Sequence, residues 1–121
     1  MERRQQRLAA NESLFRSVNE RIEELAEGPF QGSPEAGARA WDFVCECADP
    51  TCSERVALTI AEYEQIRAVG NRFVVAPAPE HVDTTIENVV DMNSRRYWVV
   101  EKTDEAAKAA NRDDPRQNRR R

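Results

Sequence analysis

Apolar residues recur at helical spacing through the first quarter of the chain. Leu8, Phe15, Val18, Ile22 and Leu25 follow one another at seven, three, four and three positions, and Leu14 widens the stripe. The pattern predicts one amphipathic helix over residues 5–27. Glu12–Arg16 and Arg16–Glu20 add i,i+4 ion pairs on its surface. Asn11 occupies the seam position where an apolar residue is missing. Gly28 and Pro29 mark the end, because glycine closes helices in the left-handed conformation and proline cannot continue them.

The period then changes. Residues 29–40, with Pro29, Gly32, Pro34 and Gly37, predict a loop or linker. Trp41–Val44 and Arg55–Leu58 predict short strands, with the Asp49-Pro50-Thr51 turn between them. Thr59-Ile60-Ala61-Glu62 matches a capping box and opens a second helix to about Val69, stopped by Gly70. Arg72–Ala76 predicts a strand and Pro77–His81 a stiff extended arm. Residues 85–91 and 96–102 predict a hairpin around Asn93-Ser94, with Tyr97 and Trp98 on opposite faces. Beyond Thr103 an Ala-rich stretch predicts a frayed helix passing into a disordered basic tail.

The expected fold is therefore α+β: a long amphipathic helix (1–28), a linker (29–40), a small knuckle-like domain with a short mixed or antiparallel sheet, one helix and a C-terminal hairpin (41–103), and a tail (104–121). A mean hydropathy of −0.78 and only 7% aromatic residues leave little apolar material for a core. No apolar run is long enough to span a membrane and the N-terminus has no signal-peptide pattern, so the expected compartment is cytoplasmic. Net charge is −4, distributed as −1 over 1–28, −6 over 29–104 and +3 over 105–121. The acidic middle is a poor match for phosphates, so nucleic acid would be met only through the basic tail Arg116–Arg121. That tail could equally touch an acidic partner or the chain's own acidic body, or simply be solvated.

The candidate chemistry is concentrated in four residues. All three cysteines, Cys45, Cys47 and Cys52, fall within eight positions, and His81 is the single histidine. An odd thiol count in a reducing compartment disfavours disulfides, whereas three thiolates and an imidazole are a common zinc set. In a regular strand Cys45 and Cys47 would lie roughly 6.6 Å apart. Sulfurs on one zinc lie only about 3.8 Å apart. The chain must therefore bend at Glu46, and the Asp49-Pro50 turn must return Cys52 over the bend. If His81 were not a ligand, Asp49, Glu46 or Asp42 would be the available oxygen donors. A fully protein-filled tetrahedron leaves no position for water, so such a metal would be structural, and it would staple a chain with a small core.

Phe43-x-Cys45-Glu46-Cys47-x4-Cys52 followed by Thr59-x2-Glu62-Tyr63-Glu64-x2-Arg67 resembles short actinobacterial proteins of unknown function. Asn11-Glu12-x2-Phe15-Arg16-x2-Asn19-Glu20-Arg21-Ile22, Phe73-x-Val75-x-Pro77 and Trp98-Val99-Val100-Glu101-Lys102 extend the resemblance over most of residues 7–102. The chain departs from that pattern in having Pro79-Glu80, and no glycine, before His81. The resemblance implies no particular activity.

Together these features point to a non-enzymatic module held by structural zinc. Its stripe of Leu8, Leu14, Phe15, Val18, Ile22 and Leu25 would either meet a protein partner, pair with itself, or lie on the domain's sheet. The alternative is a thiol redox switch at the cysteine cluster. Against it stand Asp42, Glu46, Asp49 and Glu54, whose carboxylates would raise the thiol pKa values. A Cys–His nucleophile–base pair has no supporting motif.

Overall fold

The structure, a computed structural model, describes residues 3–30, 39–92 and 94–116. Its elements in chain order are α1 (Arg3–Phe30), β1 (Ala40–Val44), β2 (Arg55–Thr59), α2 (Ile60–Arg67), β3 (Arg72–Val75), a 3-10 turn (Pro79–His81), β4 (Glu87–Asp91), β5 (Trp98–Lys102) and α3 (Asp104–Arg112). The fold is α+β, with the long N-terminal helix that the periodicity predicts. Residues 31–38 of the expected linker, Asn93 of the hairpin turn, and residues 117–121 of the basic tail lie outside the described residues.

Two antiparallel sheets carry the core. β1 pairs with β2, placing Phe43 opposite Val56 and Trp41 opposite Leu58. β5 lies between β3 and β4, with Phe73 opposite Val100 and an irregularity between Val89 and Asp91. Phe43, Leu58, Tyr63, Phe73, Val74, Val75 and Val100 are fully buried, and the Phe43 and Tyr63 rings stack 4.7 Å apart. Fully burying side chains of this size is worth about 1.5–3 kcal/mol each. α2 begins at the capping box the sequence announces. Thr59 Oγ1 accepts from the Glu62 amide at 3.1 Å, and Glu62 Oε1 accepts from the Thr59 amide at 2.9 Å.

Three expectations need correction. α1 continues to Phe30, through Gly28 and Pro29; near a helix end proline removes only one backbone bond. Pro77–His81 is not an extended arm, because Pro79–His81 form a 3-10 turn in which the His81 amide donates to the Ala78 carbonyl at 3.1 Å. Tyr97 and Trp98 do not divide into one core ring and one edge ring; both are half-buried against the core.

The ends of the chain differ most from expectation. α3 is not frayed: Ala106, Ala109 and Ala110 are buried, and their small side chains let α1 pass close by. Just beyond it, Arg116 binds Glu20, Glu23 and Glu64 at 2.6, 3.0 and 2.8 Å. The basic segment thus begins by closing on the protein's own acidic surface. Residues 3–30 and 104–116 both pack on the 41–103 body, so these three segments form one unit.

α1 docks through its polar face. Ala9, Glu12, Arg16, Asn19, Glu20 and Glu23 are buried, while Leu14, Val18 and Leu25 are 62, 40 and 60% exposed. Lys102, itself buried, forms ion pairs with both Glu12 and Glu87. Arg16 lies 4.3 Å over the Phe73 ring and donates to the carbonyls of Gly70 at 2.6 Å and Ala110 at 2.8 Å. Arg67 pairs with Glu20 and Asp114. No helix among the described residues is long and apolar enough to cross a membrane.

Candidate metal centre

The bend that the cysteine spacing requires occurs where two sheets meet. The Cys45 amide still donates to the Glu54 carbonyl at 3.1 Å, extending the β1–β2 pairing by one residue. One residue later the Glu46 amide donates to the Val74 carbonyl at 2.8 Å, so the chain has crossed to β3. The Cys52 amide then closes a turn on the Asp49 carbonyl at 3.1 Å, and the Asp49 side chain holds Thr51 through its amide and hydroxyl at 2.9 and 2.7 Å. The Ala76 amide, just beyond β3, donates to Cys45 Sγ at 3.2 Å, and the short segment that follows brings His81 to the cysteines.

The ligand atoms of Cys45, Cys47, Cys52 and His81 all lie within 4.8 Å of one another and could hold a metal ion. His81 presents Nδ1, at 3.6 Å from Cys45 Sγ and 3.8 Å from Cys52 Sγ. Zinc bonds of about 2.3 Å to sulfur and 2.0–2.1 Å to nitrogen at tetrahedral angles would separate these atoms by about 3.6 Å. Cys45 and Cys47 are buried, Cys52 and His81 half-buried. A groove of about 790 Å³ between the first turns of α1 and the knuckle opens onto Cys47 and His81.

A neutral thiol is a weak acceptor, so an amide aimed at sulfur, as Ala76 is at Cys45, favours thiolate charge. The backbone at Asp49 and Glu54 acts in the same sense on the Cys47 and Cys52 thiols, favouring their charged forms. The Cys47 thiol is lowered to about 5, first by hydrogen bonding from Cys45, with His81, the Asp49 amide and Cys52 adding to it. Cys45 is pushed up by its hydrogen bond to Cys47 and by burial, and Cys52 by burial first. Glu46 turns its carboxylate to Val74 and Asn19.

Glu46 is instead the brace behind the site. It is fully buried; Oε1 accepts from the Val74 amide at 2.9 Å and Oε2 from Asn19 Nδ2 at 2.8 Å. Burial raises its pKa, opposed by the bonds from Asn19 and Val74. Both carboxylate oxygens are engaged in those bonds, and the ligand atoms that converge are those of Cys45, Cys47, Cys52 and His81. Asp42 and Asp49 are exposed, and Asp49 is engaged with Thr51. Asn19 also grips the Val44 backbone from both sides, accepting from its amide and donating to its carbonyl at 2.8 Å each. Asn11 donates to the Ala48 carbonyl at 3.0 Å. Two asparagines of α1 therefore hold the knuckle at residues 44–48. Asn11 interrupts the apolar stripe in the sequence, and both asparagines fall in the segment that carries the resemblance, but nothing there assigns them this bracing role.

Of the stripe residues, Leu14, Val18 and Leu25 face outward, and Leu8, Phe15 and Ile22 are half-buried on its flank. The basic–aromatic pair Arg96–Tyr97 is engaged within the chain: Arg96 reaches Glu62 at 2.6 Å and the Ala57 carbonyl at 3.0 Å, and the Tyr97 hydroxyl donates to Glu62 at 3.2 Å. A scan against protein-family models finds no match, and searches of curated proteins and of solved structures find none either.

Proposed function

We propose that the protein is a non-enzymatic interaction module whose fold is held by one structural zinc ion on Cys45, Cys47, Cys52 and His81 Nδ1. The observation that carries this reading is the convergence of three sulfurs and one imidazole nitrogen, all within 4.8 Å of one another, with a backbone amide already donating to Cys45 Sγ. Thiols that merely filled space would not need to gather around the single histidine. Zinc would join the knuckle at 45–52 to the turn at 79–81, which no backbone bond between them secures among the described residues. The outward face of α1 then serves as the recognition surface, presented on a rigid body. The resemblance to short actinobacterial proteins belongs to this proposal as the group in which the same arrangement is expected.

Cobalt substitution tests the ligand set. Chelator-treated protein titrated with Co2+ should develop thiolate-to-cobalt charge transfer and the intense visible bands of a tetrahedral site. His81→Ala should shift those bands, and Cys52→Ser should weaken both features. Unaltered spectra in His81→Ala would remove the histidine from the set.

A second reading, a redox switch, has the lowered Cys47 pKa and the open groove in its favour. Hydrogen peroxide would take two electrons from a thiol pair, forming one S–S bond and two waters. Free-thiol counts that fall by two per chain at mild peroxide, with reversal by dithiol, would support it; a constant count would not.

A further inference from the structure

α1 inverts the usual division of a surface helix. Its polar residues are inside, and its apolar band faces the opposite way. Written as a heptad, Asn11, Val18 and Leu25 fall at a, Arg7, Leu14 and Arg21 at d, and Leu8, Phe15 and Ile22 at e. The band is continuous through a, d and e about the middle of the helix. Leu14, Val18 and Leu25 face away from the body and Leu8, Phe15 and Ile22 are half-buried on its flank, so a second long helix would approach along the outward a and d side.

From these features we infer that the band is covered by α1 of a second copy of this chain, packed antiparallel about a two-fold axis near Arg16. In that register each chemical type meets its complement. Leu14 faces Val18 of the second copy and Val18 faces its Leu14. Phe15 faces Phe15, and Leu8 faces Ile22. Asn11 falls beside Arg21, and the aliphatic stem of Arg7 covers Leu25. Charge along the helix is segregated in the sense this pairing needs. Positions 3–11 carry Arg3, Arg4 and Arg7 with no acid, and positions 22–30 carry Glu23, Glu24 and Glu27 with no base, of which Glu23 is turned inward to Arg116. Antiparallel packing sets each basic end against an acidic end, whereas parallel packing sets like against like. The contact is isologous and closes at two copies. This dimer builds on the reading of the outer face of α1 as an interaction surface and is independent of the metal.

The test is mass in solution over a range of concentrations, by analytical ultracentrifugation, with zinc content and circular dichroism recorded on the same samples. The wild type should approach twice the chain mass. Leu14→Glu with Val18→Glu should be monomeric with unchanged zinc and helix content, since both side chains face away from the body. Arg7→Glu should weaken the dimer at least several-fold, and adding Glu24→Arg to it should restore association. A wild type that stays monomeric while holding its zinc overturns the dimer and leaves the metal module standing. Dimers that survive Leu14→Glu/Val18→Glu place the contact elsewhere and overturn the proposal. Dimers indifferent to Arg7→Glu overturn the antiparallel arrangement.

Discussion

Two regions of this protein hold distant segments together by opposite means. At the knuckle, the ligand atoms of Cys45, Cys47, Cys52 and His81 converge, and a backbone amide donates to the Cys45 sulfur. Along the inner face of α1, Glu12, Glu20 and Glu23 meet Lys102, Arg67 and Arg116 in an ionic seam, with Glu87 sharing Lys102. The knuckle gathers three sulfurs and an imidazole that a shared cation would bind together. The seam gathers unlike charges from within the chain, with Lys102 shared between Glu12 and Glu87. On the zinc reading, the knuckle's strength depends on what the solvent supplies, while the seam's depends on partners the chain itself carries.

Breaking each region in turn should expose that difference. The largest effect is expected from metal removal. Structural zinc contributes on the order of 10 kcal/mol in small domains, so a strong chelator or Cys52→Ser should abolish the cooperative thermal transition, and added zinc should restore it only in the chelated wild type. Next comes Lys102→Met, which leaves Glu12 and Glu87 buried without their cation. The loss should be about 3–5 kcal/mol by urea denaturation, with zinc still bound in the folded fraction. Asn19→Ala removes the bonds to Val44 and Glu46 that tie the two regions together. It should cost about 1–3 kcal/mol and weaken zinc affinity in competition with a chromophoric chelator.

The smallest effects are those of pH, and they sharpen the comparison within the seam itself. Burial pushes the Glu20 carboxyl up, but hydrogen bonding from Arg116 and the charge of Arg67 outweigh it, leaving Glu20 below 4.5. Its contribution is present above that value and is lost as pH falls through the lower folded pKa. Glu12 behaves in the reverse sense. Burial raises its pKa well above 4.5 despite Lys102, so its contribution is present below 4.5 and is lost as pH rises through the folded value. Urea midpoints across this range should therefore fall on the acid side for the wild type but less for Glu20→Gln. On the rising side they should fall for the wild type and stay flatter for Glu12→Gln.

The two regions also differed in how openly the sequence displays them. Cys45, Cys47 and Cys52 are close along the chain, the Asp49-Pro50 turn lies between them, and a bend at Glu46 follows from sulfur geometry alone. His81 is the candidate fourth ligand because it is the single histidine, with only carboxylates as alternatives. The seam's partners are 47 to 96 residues apart, as in Arg67–Glu20 and Arg116–Glu20, and no local period links them. Apolar periodicity located α1 correctly but could not tell which face meets the body. Here the polar face does, because Lys102, Arg67 and Arg116 wait there with complementary charge. The same blindness made residues 104–116 look frayed: their buried residues are three alanines and Asp114, with Arg116 half-buried beside them, and these carry little hydrophobic signal.

The zinc account is tested most directly by the mass of the protein purified without chelator, measured under native and then denaturing conditions. It predicts a native mass exceeding the denatured chain by one zinc ion per chain, with the increment missing from Cys52→Ser. A folded native species with no metal increment and three readily titrated thiols would contradict it.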